Sequence, residues 1–328
     1  MADHADDDGD DNIFVYRGGR APQHVTHVLI DKSLDEIENW AFNECKRLVQ
    51  VDTHDGIRKI GKQAFAYCTS LPRINLKSVV EIEEFAFIGC ANLESAEFGD
   101  RLEIIGKSAF SRCRCISLPH LKLPSIITIG YCAFNVCRRL TDIEFSERLE
   151  SMGPGAFHSC EHLQRIAIPL KRDLFEFCVY DKVYDQLDGC EQLTTVDLVG
   201  GIHKTVASLH MKSWRTEMIA EINRINQVLP NTLADEKTEE IRQWMEGIMD
   251  KMDHYKAEHC RYVKEGITIL ELALWKAKLG DKDKKEDSSA GRQSKKAKTD
   301  TESARKERRV ICGADTVIKN VLPFLKLE

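Results

Sequence analysis

The word Ala-Phe-x-x-Cys occurs six times in this chain, and that recurrence constrains the fold more than any other feature. It falls at Ala41-Phe42 to Cys45, Ala64-Phe65 to Cys68, Ala86-Phe87 to Cys90, Ala109-Phe110 to Cys113, Ala133-Phe134 to Cys137 and Ala156-Phe157 to Cys160. Successive cysteines of these words lie 23, 22, 23, 24 and 23 residues apart. A fixed period of this length is the mark of a repeat architecture. One unit has too little core to fold alone, and stacking buries a continuous one.

The word extends in both directions. Upstream stands an apolar pair three apart, often followed by Gly, as in Ile57…Ile60-Gly61, Leu102…Ile105-Gly106, Ile126…Ile129-Gly130 and Leu149…Met152-Gly153. Downstream comes Leu-x-x-Ile-x-apolar, as in Leu71…Ile74…Leu76, Leu140…Ile143…Phe145 and Leu163…Ile166…Ile168. The end of that segment alternates with period two, which predicts a short strand. A seventh, degenerate unit follows an insertion at 169–182 and has Leu187 in the Phe place before Cys190. Val25…Val28…Ile30 reads as a half repeat at the other end. Atypical terminal units suit caps that shield the ends of a solenoid.

These words resemble the BspA-like leucine-rich repeat over about residues 25–198. The resemblance implies an α/β repeat solenoid, right-handed, with a parallel sheet along one side. It also implies a role in binding proteins or other macromolecules and no shared reaction. The expected organisation is an acidic disordered tail at 1–12, a solenoid of about seven units plus a half repeat at 13–203, and a helical hairpin at 204–279. A disordered charged linker at 280–303 and a C-terminal helical segment at 304–328, docking on the helical region, complete it.

The cysteines at the repeat position would form a column. Stacked side chains project in parallel, which suits neither a disulfide nor the converging tetrahedral ligands of zinc. The column is therefore expected to be small buried apolar filling. The pair Cys113-Arg114-Cys115 needs a register. With Cys115 as the repeat cysteine, the downstream slots fall on Leu118, Leu121 and Leu123. That choice predicts a two-residue insertion between Phe110 and Cys115.

Residues flanking the inward Ile of each strand should point away from the core. They are Gln50 and Asp52, Arg73 and Asn75, Ser95 and Glu97, His120 and Lys122, Asp142 and Glu144, Arg165 and Ala167, and Thr195 and Asp197. This row would line one extended concave surface. It is either a solvated sheet face or the site of a protein partner. It lacks the aromatic run that stacks bases. The net charge of −6 gives no push toward nucleic acid either.

Beyond residue 204, Met211, Trp214, Met218, Ile222, Ile225 and Leu229 form one helical stripe, ended by Pro230. Ile241, Trp244, Met245, Ile248, Met249, Met252 and Tyr255 form a second. Such a hairpin needs something to pack on: the last repeat, the C-terminal segment, or a second copy in a homo-oligomer. Lys295, Lys296, Lys298, Arg305, Lys306, Arg308 and Arg309 have the spacing of a two-part nuclear import signal, and equally of a solvated linker. A nucleus-targeted regulator using residues 292–309 is the alternative function. The N-terminal residues include Asp3, Asp6, Asp7, Asp8, Asp10 and Asp11 and lack the pattern of a signal peptide. No apolar run reaches the ~18 residues that span a bilayer. The expectation is therefore a cytoplasmic or nuclear chain. No phosphate-binding loop, His-Glu-x-x-His or Gly-x-Ser-x-Gly word is present, so no catalytic residue, metal ligand or cofactor is expected. The favoured reading is a non-enzymatic interaction scaffold coupled to a helical assembly module, with an enzyme of unrecognised site as the remaining alternative.

Overall fold

The structure, a computed structural model, describes residues 13–113, 120–176, 185–209 and 211–286. The chain divides into two compact units, residues 1–253 and 254–328. In the first unit, β1 (Ile13–Tyr16), β2 (His27–Ile30), β4 (Gln50–Asp52), β6 (Arg73–Leu76), β8 (Ser95–Phe98), β10 (Leu121–Leu123), β12 (Asp142–Phe145), β14 (Arg165–Pro169) and β15 (Thr195–Val199) lie along one side. A second side is made by the two-residue strands β3 (Glu36–Ile37), β5 (Lys59–Ile60), β7 (Glu81–Ile82), β9 (Ile104–Ile105), β11 (Thr128–Ile129) and β13 (Ser151–Met152). All pairings are parallel, and equivalent repeat positions face one another: Ile60 opposite Ile82, Ile143 opposite Ile166, Ile166 opposite Val196. This is a β-solenoid of about six turns followed by three helices.

The repeated word builds the third side. Phe42, Phe65, Phe87, Phe110, Phe134 and Phe157 are fully buried and stack face to face, with ring centroids 5.0–5.4 Å apart. Their backbone N–H groups donate to the Ala of the next coil, as Phe65 N does to Ala86 O at 2.8 Å, except that Phe157 N donates to Gln186 O at 2.9 Å. Each turn has two left-handed positions, one before Ala and one before Cys. Ten of these are non-glycine residues, with φ from 52° to 64°, among them Trp40, Tyr67, Phe85 and Arg112. Each such residue costs about 1–2 kcal/mol. The compensation is a ladder bond to the next coil: Tyr67 N to Ile88 O and Phe85 N to Lys107 O, both 2.8 Å. The Gly after the apolar pair serves close packing. A Cβ on Gly130 would stand 2.6 Å from Lys107 N and 2.7 Å from Gly106 C.

The cysteine register differs from the sequence expectation. Cys113 is the repeat cysteine: it is fully buried and its Sγ donates to Phe87 O at 3.1 Å. Cys90 donates to Phe65 O at 3.1 Å and Cys137 to Phe110 O at 3.3 Å in the same way. Leu121 pairs with Ile143, so the two extra residues fall after Cys113, between it and β10. The stacked Phe-x-x-Cys turn is locked to both neighbouring coils, whereas the connection leading into the strand can lengthen. Cys115 itself lies outside the described residues.

The strand side is one sheet in intent but three in fact: β1-β2-β4, β6-β8 and β10-β12-β14-β15. The residue two before each inward strand residue normally donates to the preceding coil, as Val49 N does to Thr26 O and Glu94 N to Pro72 O, both 2.8 Å. At the break between β4 and β6 that place is Pro72. Proline has no N–H to offer, so the ladder opens there.

Both ends are closed. At the first, Tyr16 is buried, packs its ring 4.8 Å from Phe42 and donates its hydroxyl to Gly19 O at 3.0 Å. At the other, α1 (Ile202–Ser208) and α2 (Lys212–Val228) precede a turn, Leu229–Asn231, and α3 (Lys237–Glu286). Lys237 is buried and its ammonium donates to Cys190 O, Glu191 O and Leu193 O at 3.0, 2.8 and 2.9 Å. Thr238 Oγ1 accepts from Leu187 N at 3.0 Å, and Asn226 Oδ1 from Val196 N at 2.8 Å. These bonds take up polar groups of the last coil that have no further coil to meet. Helix α2 runs antiparallel to the start of α3, with Trp244 Nε1 donating to Glu221 O at 2.9 Å and Arg224 bridging Glu221 and Glu240.

Within the first unit the helical region thus caps the last repeat, one of the three packing alternatives. The boundary expected at 279 is moved. Helix α3 continues through Gly280 to Glu286. The remainder of the expected linker, the import-signal residues Lys295 to Arg309 and the segment 304–328 lie outside the described residues, as does the 1–12 tail.

Candidate binding surface

The outward row on the strand side is assembled as the alternation requires. Gln50, Asp52, Arg73, Asn75, Glu97, His120 and Lys122 are exposed, and Ser95, Asp142, Glu144, Arg165, Thr195 and Asp197 are half-buried. Ala167 is the exception and is fully buried. The row divides into two electrostatic halves. Toward the C-terminal end the charges satisfy one another. Arg165 reaches Asp142 at 2.9 Å and Asp197 at 2.6 Å, His120 lies 3.0 Å from Asp142, and Lys122 lies 3.2 Å from Glu144. Burial opposes the Arg165 charge, and the hydrogen bonds it donates to Asp142 and Asp197 more than offset this, so its pKa rises.

The N-terminal half is more open. Gln50 donates to both carboxylate oxygens of Asp52, and Lys77 pairs with Glu97 at 2.8 Å, which holds the Glu97 carboxyl below its ordinary range. Arg73 makes no hydrogen bond or ion pair with a described residue. It stands in a notch of about 550 Å³ bounded by Val49–Asp52, Pro72–Asn75 and Glu94–Glu97. The notch coincides with the ladder break at Pro72.

Four further residues belong to this face and were missed in the sequence reading: Ile13, Val15, His27 and Leu29. Ile13, Val15, Leu29 and the adjacent Val49 are 53, 39, 44 and 39% exposed. The signal was available, since Val28 and Ile30 had been assigned inward and their neighbours must then face out. The strand Ile13–Tyr16 precedes the first complete word and carries no repeat signature of its own.

The cysteine column offers no reactive thiol among the residues with resolved shifts. Burial pushes Cys45 up to about 11 and Cys190 to about 12, and raises Cys68, Cys90, Cys137 and Cys160 further. Thiols held protonated are poor nucleophiles and poor ligands. Their Sγ–H groups do have a role that composition hides. Each donates to a carbonyl of the preceding coil, from Cys45 to Pro22 O at 3.6 Å through Cys190 to Phe157 O at 3.2 Å. Among the described residues, no group of three or more His, Cys, Asp or Glu is placed to hold a metal ion, and no helix is long and apolar enough to cross a membrane.

The fold defines a repeat protein built of parallel strands stacked coil on coil. The chain belongs to the family described as the BspA type leucine rich repeat region, which it matches in six copies over residues 23–116 and 114–205. Among solved structures it is similar to a leucine rich repeat protein of T. pallidum, at 25% identity, covering 61% of this chain and 88% of that one with a TM-score of 0.43. It is also similar to a leucine rich cell surface protein of Faecalibacterium prausnitzii, at 20% identity, covering 54% and 60% with a TM-score of 0.34. A leucine-rich repeat protein of Bacteroides ovatus shares 20% identity, covering 54% and 61% with a TM-score of 0.32. A comparison with curated proteins finds no match.

Proposed function

We propose that this chain is a non-enzymatic protein-interaction scaffold, and that a protein partner docks on the N-terminal half of its strand side. The observation that carries the reading is the contrast between the two halves. Where Arg165 is held between Asp142 and Asp197, its guanidinium is already engaged and offers a partner little. Around Arg73, a guanidinium with no ion pair among the described residues, a notch and the exposed side chains of Val15, Leu29 and Val49 lie on the same side of the solenoid. An Arg flanked by apolar contact area is the composition that carries binding energy at protein interfaces. Solenoids expose such faces for macromolecular recognition. The helical region contributes the cap of the last coil.

The test is partner capture by the full chain, compared with Arg73→Glu, Leu29→Asp and Glu97→Lys, with Lys122→Glu as the control outside the notch. A truncation at residue 203 is unsuitable, because it removes Lys237 and Thr238 and uncaps the last coil. The two notch variants, and Leu29→Asp beside the notch, should each lose about tenfold or more in affinity, with an unchanged melting curve. Capture that is indifferent to Arg73 and Leu29 would sink the proposal, and loss with Lys122→Glu alone would move the site to the other half.

A further inference from the structure

In the second unit, α3 carries a run of apolar side chains out into solvent. Ile269, Leu270, Leu272, Leu274 and Trp275 are 66, 65, 61, 64 and 59% exposed. Scattered apolar residues on a surface are ordinary, but a contiguous cluster marks an interaction site. Within it, Ile267, Leu270, Glu271, Leu274 and Trp275 recur at spacings of three and four, so they share one helix face. On that face Glu271 Oε1 is shielded from solvent and has no hydrogen-bond partner among the described residues. A shielded carboxylate oxygen without a donor is costly.

We propose that residues 314–322 of this same chain lie along that face as a short helix antiparallel to α3. Three features of the sequence fit that occupant. Ala314, Val317, Ile318, Val321 and Leu322 form a complementary stripe with the same spacing, and Pro323 ends it. Lys319 flanks the stripe and supplies the cation that Glu271 lacks. A helix of about two turns does not stand alone in water, so the stripe needs a surface on which to form.

The tether also fits. From Glu286 back to Trp275 is about 17 Å along the helix axis. Residues 287–313 can extend to roughly 90 Å, so the return is easily spanned. Attachment places the segment at an effective concentration on the order of millimolar, which a second copy at ordinary protein concentration does not match. The proposal stands on the exposed helix face and is independent of the reading of the strand side.

The test is hydrogen exchange over residues 267–275 in the full chain, beside the double variant Val317→Asp, Val321→Asp. We expect exchange in the double variant to be faster by about tenfold or more, with the solenoid amides unchanged. The wild-type protection should not vary over a roughly fiftyfold range of protein concentration. Equal exchange in the two proteins overturns the proposal. Protection that grows with concentration also overturns it, and assigns the face to a second copy.

Discussion

The buried thiol column should make this solenoid alkali-labile, and the size of the effect can be worked out. Unfolded cysteines begin to lose their protons near the ordinary value of 9.0, whereas the folded chain holds Cys45 to about 11 and Cys190 to about 12. Cys68, Cys90, Cys137 and Cys160 are raised by burial in the same sense. Above pH 9 the unfolded chain therefore binds fewer protons than the folded one, and stability falls as pH rises. Below pH 9 the contribution is intact. At pH 10 each thiol costs on the order of 1 kcal/mol. Six together cost several kcal/mol, comparable with the ~5–15 kcal/mol that holds a whole domain. Circular dichroism and ultraviolet thiolate absorbance should therefore change together, in one cooperative step near pH 10. In urea titrations at successive pH values, Cys68→Ala with Cys160→Ala should reduce the slope of stability against pH by about a third. If thiolate absorbance instead rises gradually from pH 9 while the circular dichroism stays native, the thiols titrate in the folded state and the reasoning fails.

Two further perturbations test the packing on which the binding face rests. Lys237→Met leaves three carbonyls of the last coil without their donor, and should lower stability to urea by about 3 kcal/mol. A loss under about 1 kcal/mol would mean that the ammonium is not the plug its geometry describes. Gly130→Ala places a methyl against the backbone of the preceding coil and should cost about 3 kcal/mol. Gly247→Ala, on α3 with no atom within 4 Å of the added methyl, should instead be neutral or stabilise by up to about 1 kcal/mol. Thermal melts of the two glycine variants read the difference directly, and similar melts would refute the close-approach account.

Much of this molecule was legible because stacking converts sequence period into spatial column. Phe42 to Phe157 had to lie above one another once the word was seen to repeat, and the alternation around Ile74, Ile143 and Ile166 dictated which neighbours faced out. The strand Ile13–Tyr16 was less legible, since an end strand has only one neighbour to match and need not repeat the word. The Cys113 register was misjudged for a physical reason. Matching apolar slots downstream favoured Cys115, but the tighter constraint is the fixed turn from Phe110 to the thiol, whose Sγ must reach Phe87 O.

The candidate surface shows the same division. Its polar row follows from period-two alternation alone. Its two unlike halves do not, because whether Arg165 finds Asp142 and Asp197 while Arg73 finds no ion pair among the described residues depends on side chains in the neighbouring coils. The opening of the sheet beside Arg73 stands between these cases. Pro72 is plain in the sequence, yet it matters only once its place proves to be the one that donates to the coil before. The amino-acid sequence by itself determined the solenoid, its columns and its outward row, since these depend on local pattern repeated at a fixed interval. The tertiary structure decided the register of the cysteine pair, the plug at Lys237 and the open half of the face. Each of those depends on which polar groups, distant along the chain, come within hydrogen-bonding distance once the coils are stacked.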